Sequence, residues 1–118
     1  MIALITASLL AGNKGAVEQL RASEVREMRQ DNADLIFLDV RTEAEYNGSM
    51  GHIEGSKLIP LHELTLRLGE LQKFSSQKII VYCRSGRRSN IAAEILQKNG
   101  FNVANLIGGM LTWNRDKK

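Results

Sequence analysis

An α/β domain with a mainly parallel central sheet flanked by helices is the fold class this sequence predicts. Three observations predict it. Short apolar, strand-like runs alternate along the chain with segments of helical periodicity. The run at residues 78–82, Lys-Ile-Ile-Val-Tyr, is rich in β-branched residues and is not interrupted by polar positions, as expected of a strand covered on both faces. The 118 residues contain one proline and no repeat, linker or low-complexity tract after the first fifteen positions, so the alternation belongs to one unit.

The elements follow in order. Residues 1–11 form a nearly continuous apolar run broken by Thr6 and Ser8, shorter than the roughly 20 residues a membrane span needs. No cation precedes that run and Lys14 follows it, which is the wrong arrangement for a secretory signal. Leu10-Ala11-Gly12 resembles the start of a lipoprotein-processing site, but Asn13 occupies the place of the lipidated cysteine. Residues 1–18 are therefore expected to be an amino-terminal extension that packs as a helix or strand on a single domain spanning 19–118. A cytoplasmic location is expected, with export through the apolar terminus as the alternative. Gly12 and Gly15 mark the break.

Ser23 with Glu24 and Glu27 predicts a capped helix reaching about Gln30. Residues 35–40 predict a compact apolar strand, and residues 56–59 a weaker one. Leu61, Leu64, Leu68 and Leu71 predict a second helix with an inward strip. The strand at 78–82 delivers Cys83 at its carboxyl end. Ile91, Ala92, Ile95 and Leu96 predict the next helix, stopped by Gly100, and residues 103–107 the last strand. Trp113 is expected to anchor a terminal helix.

Composition narrows the function. With 43% hydrophobic and 25% charged residues the chain is not of the disordered type. A net charge of +3 is no argument for nucleic-acid binding, and none is expected. One cysteine and two histidines exclude an internal disulfide framework and match no metal-ligand spacing, so no metal site is expected.

The informative stretch is Cys83-Arg84-Ser85-Gly86-Arg87-Arg88-Ser89, between a buried strand and a helix. Ligands of parallel α/β sheets bind beyond the carboxyl ends of the strands, where Cys83 falls. A thiol reacts as its thiolate, which guanidinium groups and a helix amino terminus favour. If the chain curls round the strand end, its N–H groups can form a concave nest for an anion beside the sulfur, with Gly86 allowing the bend. Ser85 and Ser89 add hydroxyls, Arg84, Arg87 and Arg88 add charge, and at least one of these arginines is expected to brace the loop. A buried cysteine ending a core strand is the bland alternative. Three clustered arginines in one turn argue for a reactive thiol instead.

The sequence resembles the rhodanese family of sulfurtransferases in its single-domain form. The resemblance spans about Gln19 to Trp113. It rests on Leu38-Asp39-Val40-Arg41, Glu45-Tyr46, Gly51-His52-Ile53 with Gly55, Ile59-Pro60, the Cys83 loop, and Gly108-Gly109 followed by Trp113. It implies a rhodanese-like three-layer domain. It also implies a thiosulfate sulfurtransferase whose cysteine takes sulfur from a donor such as thiosulfate, holds it as a persulfide and passes it to cyanide or a thiol. Cys83 would be that nucleophile, residues 84–88 the substrate-binding loop with Arg88 helping to hold the donor, and Ser89 the start of the next helix.

The resemblance has a departure. Asn47-Gly48-Ser49-Met50 lengthens the loop before Gly51, and the motif reads Gly51-His52-Ile53-Glu54-Gly55-Ser56, which could alter access or acceptor choice. Asp39 and Arg41 are placed behind the reactive groups, as an ion pair or loop brace. His52 and His62 read as structural, and Glu43 with Glu45 as a solvated helical face. A phosphatase or arsenate reductase would use a Cys-X5-Arg loop, whereas four residues separate Cys83 from Arg88 and the required position is Ser89. A persulfide carrier in a sulfur relay, or a regulatory protein-binding module with little thiosulfate turnover, is the alternative from another class. Oligomeric state is not legible.

Overall fold

The computed structural model describes residues 15–32 and 34–117. Of the amino-terminal extension expected over residues 1–18, residues 1–14 lie outside the described residues; in the described part Val17 is buried in the core and Glu18 opens the first strand of the sheet. From Glu18 onward the chain forms a five-stranded sheet in the order β1-β5-β4-β2-β3, with every neighbouring pair parallel. Its strands are β1 (Glu18–Leu20), β2 (Ile36–Asp39), β3 (Lys57–Leu58), β4 (Lys78–Tyr82) and β5 (Asn102–Leu106). The helices are α1 (Ala22–Asp31), α2 (Glu43–Tyr46), α3 (Arg87–Lys98) and α4 (Gly109–Arg115).

Side chains alternate across a strand, so a strand buried on both faces feeds two cores. Ile79, Val81 and Cys83 enter one core with Ala92, Ala93 and Leu96 of α3 and with Leu64 and Leu71. Ile80 and Tyr82 enter the other with Ala22 and Val25 of α1 and with Met110 and Trp113 of α4. The molecule is thus three layers. Trp113 holds α4 in place: it meets Phe37 edge to face at 6.3 Å, and the Arg26 guanidinium lies 3.8 Å from its ring centre.

Three local expectations are corrected. Helix α1 is capped at Arg21, not Ser23; the Arg21 N–H donates to Glu24 Oε1 at 2.8 Å, and Ser23 lies inside the first turn. The leucine-spaced segment is not α-helical but two 3-10 helices, Leu61–Glu63 and Thr65–Phe74. Its inward leucines fall in pairs three apart, Leu61 with Leu64 and Leu68 with Leu71, the 3-10 repeat, while Leu66 is exposed, and the helix-weakening Gly69 lies between Leu68 and Leu71. On α3, Ile91 is 46% exposed, and the buried stripe is Ser89, Ala92, Ala93 and Leu96. Small residues there let the helix lie close to the sheet. No helix among the described residues is long and apolar enough to cross a membrane.

Candidate active site

The parity of β4 directs Cys83 toward the α3 layer, and the chain must then reverse into that helix within a few residues. Gly86 makes the reversal as N-cap of α3 with φ of 104°, a conformation side-chain-bearing residues rarely adopt. Because α3 starts beside the strand end, its first unpaired N–H groups meet the sulfur. Gly86 N–H donates to Cys83 Sγ at 3.1 Å, Ser89 N–H at 3.4 Å, and Ser89 Oγ lies 3.3 Å away. Burial pushes the thiol up. The donors on the sulfur outweigh burial: the Ser89 hydroxyl first, then the N–H groups of Ser89, Gly86 and Ser85, so the thiol is held below its ordinary value. Alkylation of the folded protein should be half-maximal below the pH of about 8.5 typical of a free thiol. A midpoint at or above that value would remove the activation.

The cradle differs from the expected open nest in one respect. Its amides converge on the sulfur itself rather than on a space beside it, and Cys83 is only 1% exposed. Two cavities flank the loop. One of about 200 Å³ is lined by Arg41, Glu45, Gly48, Ser49, Met50 and Arg84, so the lengthened loop at residues 47–50 forms part of its wall. The other, of about 300 Å³, includes Thr42, Pro60, Leu61, His62 and Arg88.

The three loop arginines have different fates. Arg84 and Arg87 are exposed and have no ionic partner among the described residues. Arg88 is the brace: its Nη1 and Nη2 both donate to the Glu45 carboxylate, each at 2.8 Å. Glu45 was expected on a solvated face. It caps α2 instead, accepting the Thr42 N–H at 3.0 Å, and presents the same carboxylate to Arg88. The Arg88 hydrogen bonds push its pKa down to about 2, so the pair stays ionised through neutral pH. Ser89 lies in the first turn of α3, two residues past its start, rather than beginning it.

Asp39 and Arg41, at the end of β2, form a buried ion pair. Arg41 Nη2 and Nε reach Asp39 Oδ2 and Oδ1 at 2.7 and 3.0 Å, with the two side chains 1% and 0% exposed. Nη2 also donates to Gly51 O at 2.8 Å, which ties the lengthened loop to the sheet. His52 stacks on Tyr46 at 3.6 Å, with its Nδ1 2.9 Å from the Tyr46 carbonyl, and His62 is exposed beside Glu63. Neither histidine touches the sulfur.

The other side of the loop rests on α4. Met110 N–H donates to Cys83 O at 2.9 Å and Leu111 N–H to Arg84 O at 3.1 Å. A Cβ on Gly109, whose φ is 54°, would fall 2.3 Å from Cys83 O, so only glycine permits this approach. Sequence reasoning missed Asn105 and Gln19. Asn105 is 4% exposed on β5, and its Oδ1 lies 2.5 Å from Ser89 Oγ. A polar residue inside the apolar run Val103-Ala104-Asn105-Leu106 was the available signal, because a buried amide needs partners.

The chain is 32% identical over 100 residues to a sulfurtransferase of Allochromatium vinosum, covering 84% of this chain and 90% of that protein. It is 34% identical over 102 residues to a proposed sulfur carrier protein, YrkF, of Bacillus subtilis, covering 86% of this chain and about half, 53%, of that protein. Among solved structures, a thiosulfate sulfurtransferase of Pseudomonas aeruginosa superposes with a TM-score of 0.74 at 31% identity, over 85% of this chain and 19% of that one. The model of the rhodanese-like domain matches residues 21–116, which include every strand from β2 onward and the whole cysteine loop, and the chain belongs to that family.

Proposed function

We propose that this domain is a sulfurtransferase that moves a sulfane sulfur from thiosulfate or a similar donor to a thiol or cyanide through a persulfide on Cys83. The observation that carries this reading is the convergence of the Gly86 and Ser89 donors on Cys83 Sγ. Such donors stabilise a sulfur anion, which is both the attacking species and the group released when the cycle closes.

In the first half-reaction the Cys83 thiolate attacks the outer sulfur of thiosulfate. A bond forms between Sγ and that sulfur, the donor's S–S bond breaks, and its electron pair leaves with sulfite. In the second, the acceptor anion attacks the outer sulfur of the persulfide and the Cys83 thiolate departs, restoring the site. Each step is a displacement at sulfur with no net oxidation, and neither calls on a metal or organic cofactor. Three negative charges meet in the first step. Arg84 and Arg87 remain available to the donor, whereas Arg88 must share its charge with Glu45.

Treatment with thiosulfate followed by mass spectrometry tests the reading. The expected result is one added sulfur atom on Cys83, removed by cyanide or reductant. No adduct from any small sulfane donor would overturn it. A second reading, a sulfur carrier in a protein relay, is favoured by the enclosure of Cys83 at 1% exposure and by the likeness to YrkF. Separate transfer assays to cyanide, small thiols and protein thiols distinguish the two.

A further inference from the structure

Ser89 Oγ stands between two acceptors, 3.3 Å from Cys83 Sγ and 2.5 Å from Asn105 Oδ1, with Ser89 fully buried and Asn105 4% exposed. A hydroxyl has one proton and can give it to one of them at a time. Which one it favours depends on which end of the Asn105 amide faces it, and main-chain carbonyls decide that. Asn105 Nδ2 lies 3.3 Å from Gly86 O, which only accepts, so the nitrogen must turn that way and the oxygen toward Ser89. The same nitrogen donates to Gln19 Oε1 at 2.9 Å. Gln19 is itself oriented, because its Nε2 donates to Val17 O at 3.3 Å and to Asn90 Oδ1 at 2.6 Å.

We propose that Asn105, held by Gln19, is a positioning residue that draws the Ser89 hydroxyl proton away from the Cys83 sulfur and so restrains the acidity of the thiol. In the thiol form the S–H donates to Ser89 Oγ while the Ser89 hydroxyl donates to Asn105. When the thiol proton leaves to solvent, the Ser89 hydroxyl is divided between the sulfur anion and Asn105, while the Gly86 and Ser89 N–H groups stay on the sulfur throughout. The restraint suits displacement at sulfur, since a thiol made too acidic is a poorer nucleophile. The inference rests on Cys83 as the nucleophile only for its bearing on turnover. Acidity is measured by alkylation whether or not sulfur is transferred, so the two ideas can fail separately.

The charged groups around the sulfur leave this effect separable. Arg88 approaches from α3 with Glu45 of α2 on it, Asp39 and Arg41 come from the end of β2, Arg84 and Arg87 belong to the loop, and His62 shares a cavity with Arg88. Strand β5 carries no ionisable side chain, so replacing Asn105 alters no charge.

The test is the pH midpoint of Cys83 alkylation in Asn105→Leu, with and without Ser89→Ala. The expected result is a midpoint lower by roughly half a pH unit, about threefold in acidity, when Ser89 is present and unchanged when it is absent. Should Asn105→Leu fail to fold, Gln19→Ala carries the same test from an exposed edge position, with a smaller shift of the same sign. An unmoved midpoint in the folded variants, or an equal shift with and without the Ser89 hydroxyl, overturns the proposal.

Discussion

Cys83→Ser is expected to abolish sulfur transfer, by at least roughly a thousandfold, while the domain keeps its fold. The serine hydroxyl is smaller than the thiol and can accept the same donors from Gly86 and Ser89, so the cradle has no reason to collapse. It cannot do the chemistry. An alcohol in this setting stays protonated at neutral pH, and its oxygen forms no persulfide. The variant should therefore show native circular dichroism, no sulfur adduct after thiosulfate, and no thiocyanate from cyanide. Turnover at even a tenth of the parent rate would remove Cys83 from the mechanism.

Arg41→Met should be the most damaging change to stability, costing about 3–5 kcal/mol in urea unfolding. The cost comes from what remains. Asp39 is 0% exposed, and without the guanidinium its carboxylate keeps only short-range support such as the Arg41 N–H at 2.9 Å. Gly51 O also loses the donor at 2.8 Å that fastens the loop bordering one cavity beside the cysteine loop. Pairing the substitution with Asp39→Asn should recover a large part of the loss, because the double variant buries no charge and retains an acceptor for the main-chain N–H. If the single variant lies within about 1 kcal/mol of the parent, the pair is not desolvated as its geometry requires.

The frame of this site was legible because its signals are local. An unbroken β-branched run reads as a central strand, and β4 has the boundaries expected from residues 78–82. A cysteine followed at once by arginines and a glycine reads as an anion-handling turn. The parts that were not legible depend on registers between distant segments. Glu45 carries the ordinary signature of a helix cap, and nothing local says that its carboxylate meets an arginine 43 positions on. Ser89, Asn105 and Gln19 meet only because β1, β5 and the start of α3 converge, with Gln19 directly opposite Asn105 in the sheet. The 3-10 segment defeats pattern reading for another reason: leucines three and four apart satisfy both helix types until packing chooses.

The grip of α4 on the cysteine loop has an electrical consequence. The peptide unit joining Arg84 and Ser85 has its oxygen tethered by Leu111 N–H, while its own N–H adds to the stabilisation of Cys83 Sγ. Hydrogen bonds arranged head to tail polarise one another. The terminal helix therefore does more than seal the core beneath Trp113: it pulls electron density outward through a shared amide, leaving that hydrogen more positive toward the sulfur. Changes at the carboxyl terminus that loosen this grip would be felt as altered thiol chemistry several ångströms away, without any residue of the loop being touched.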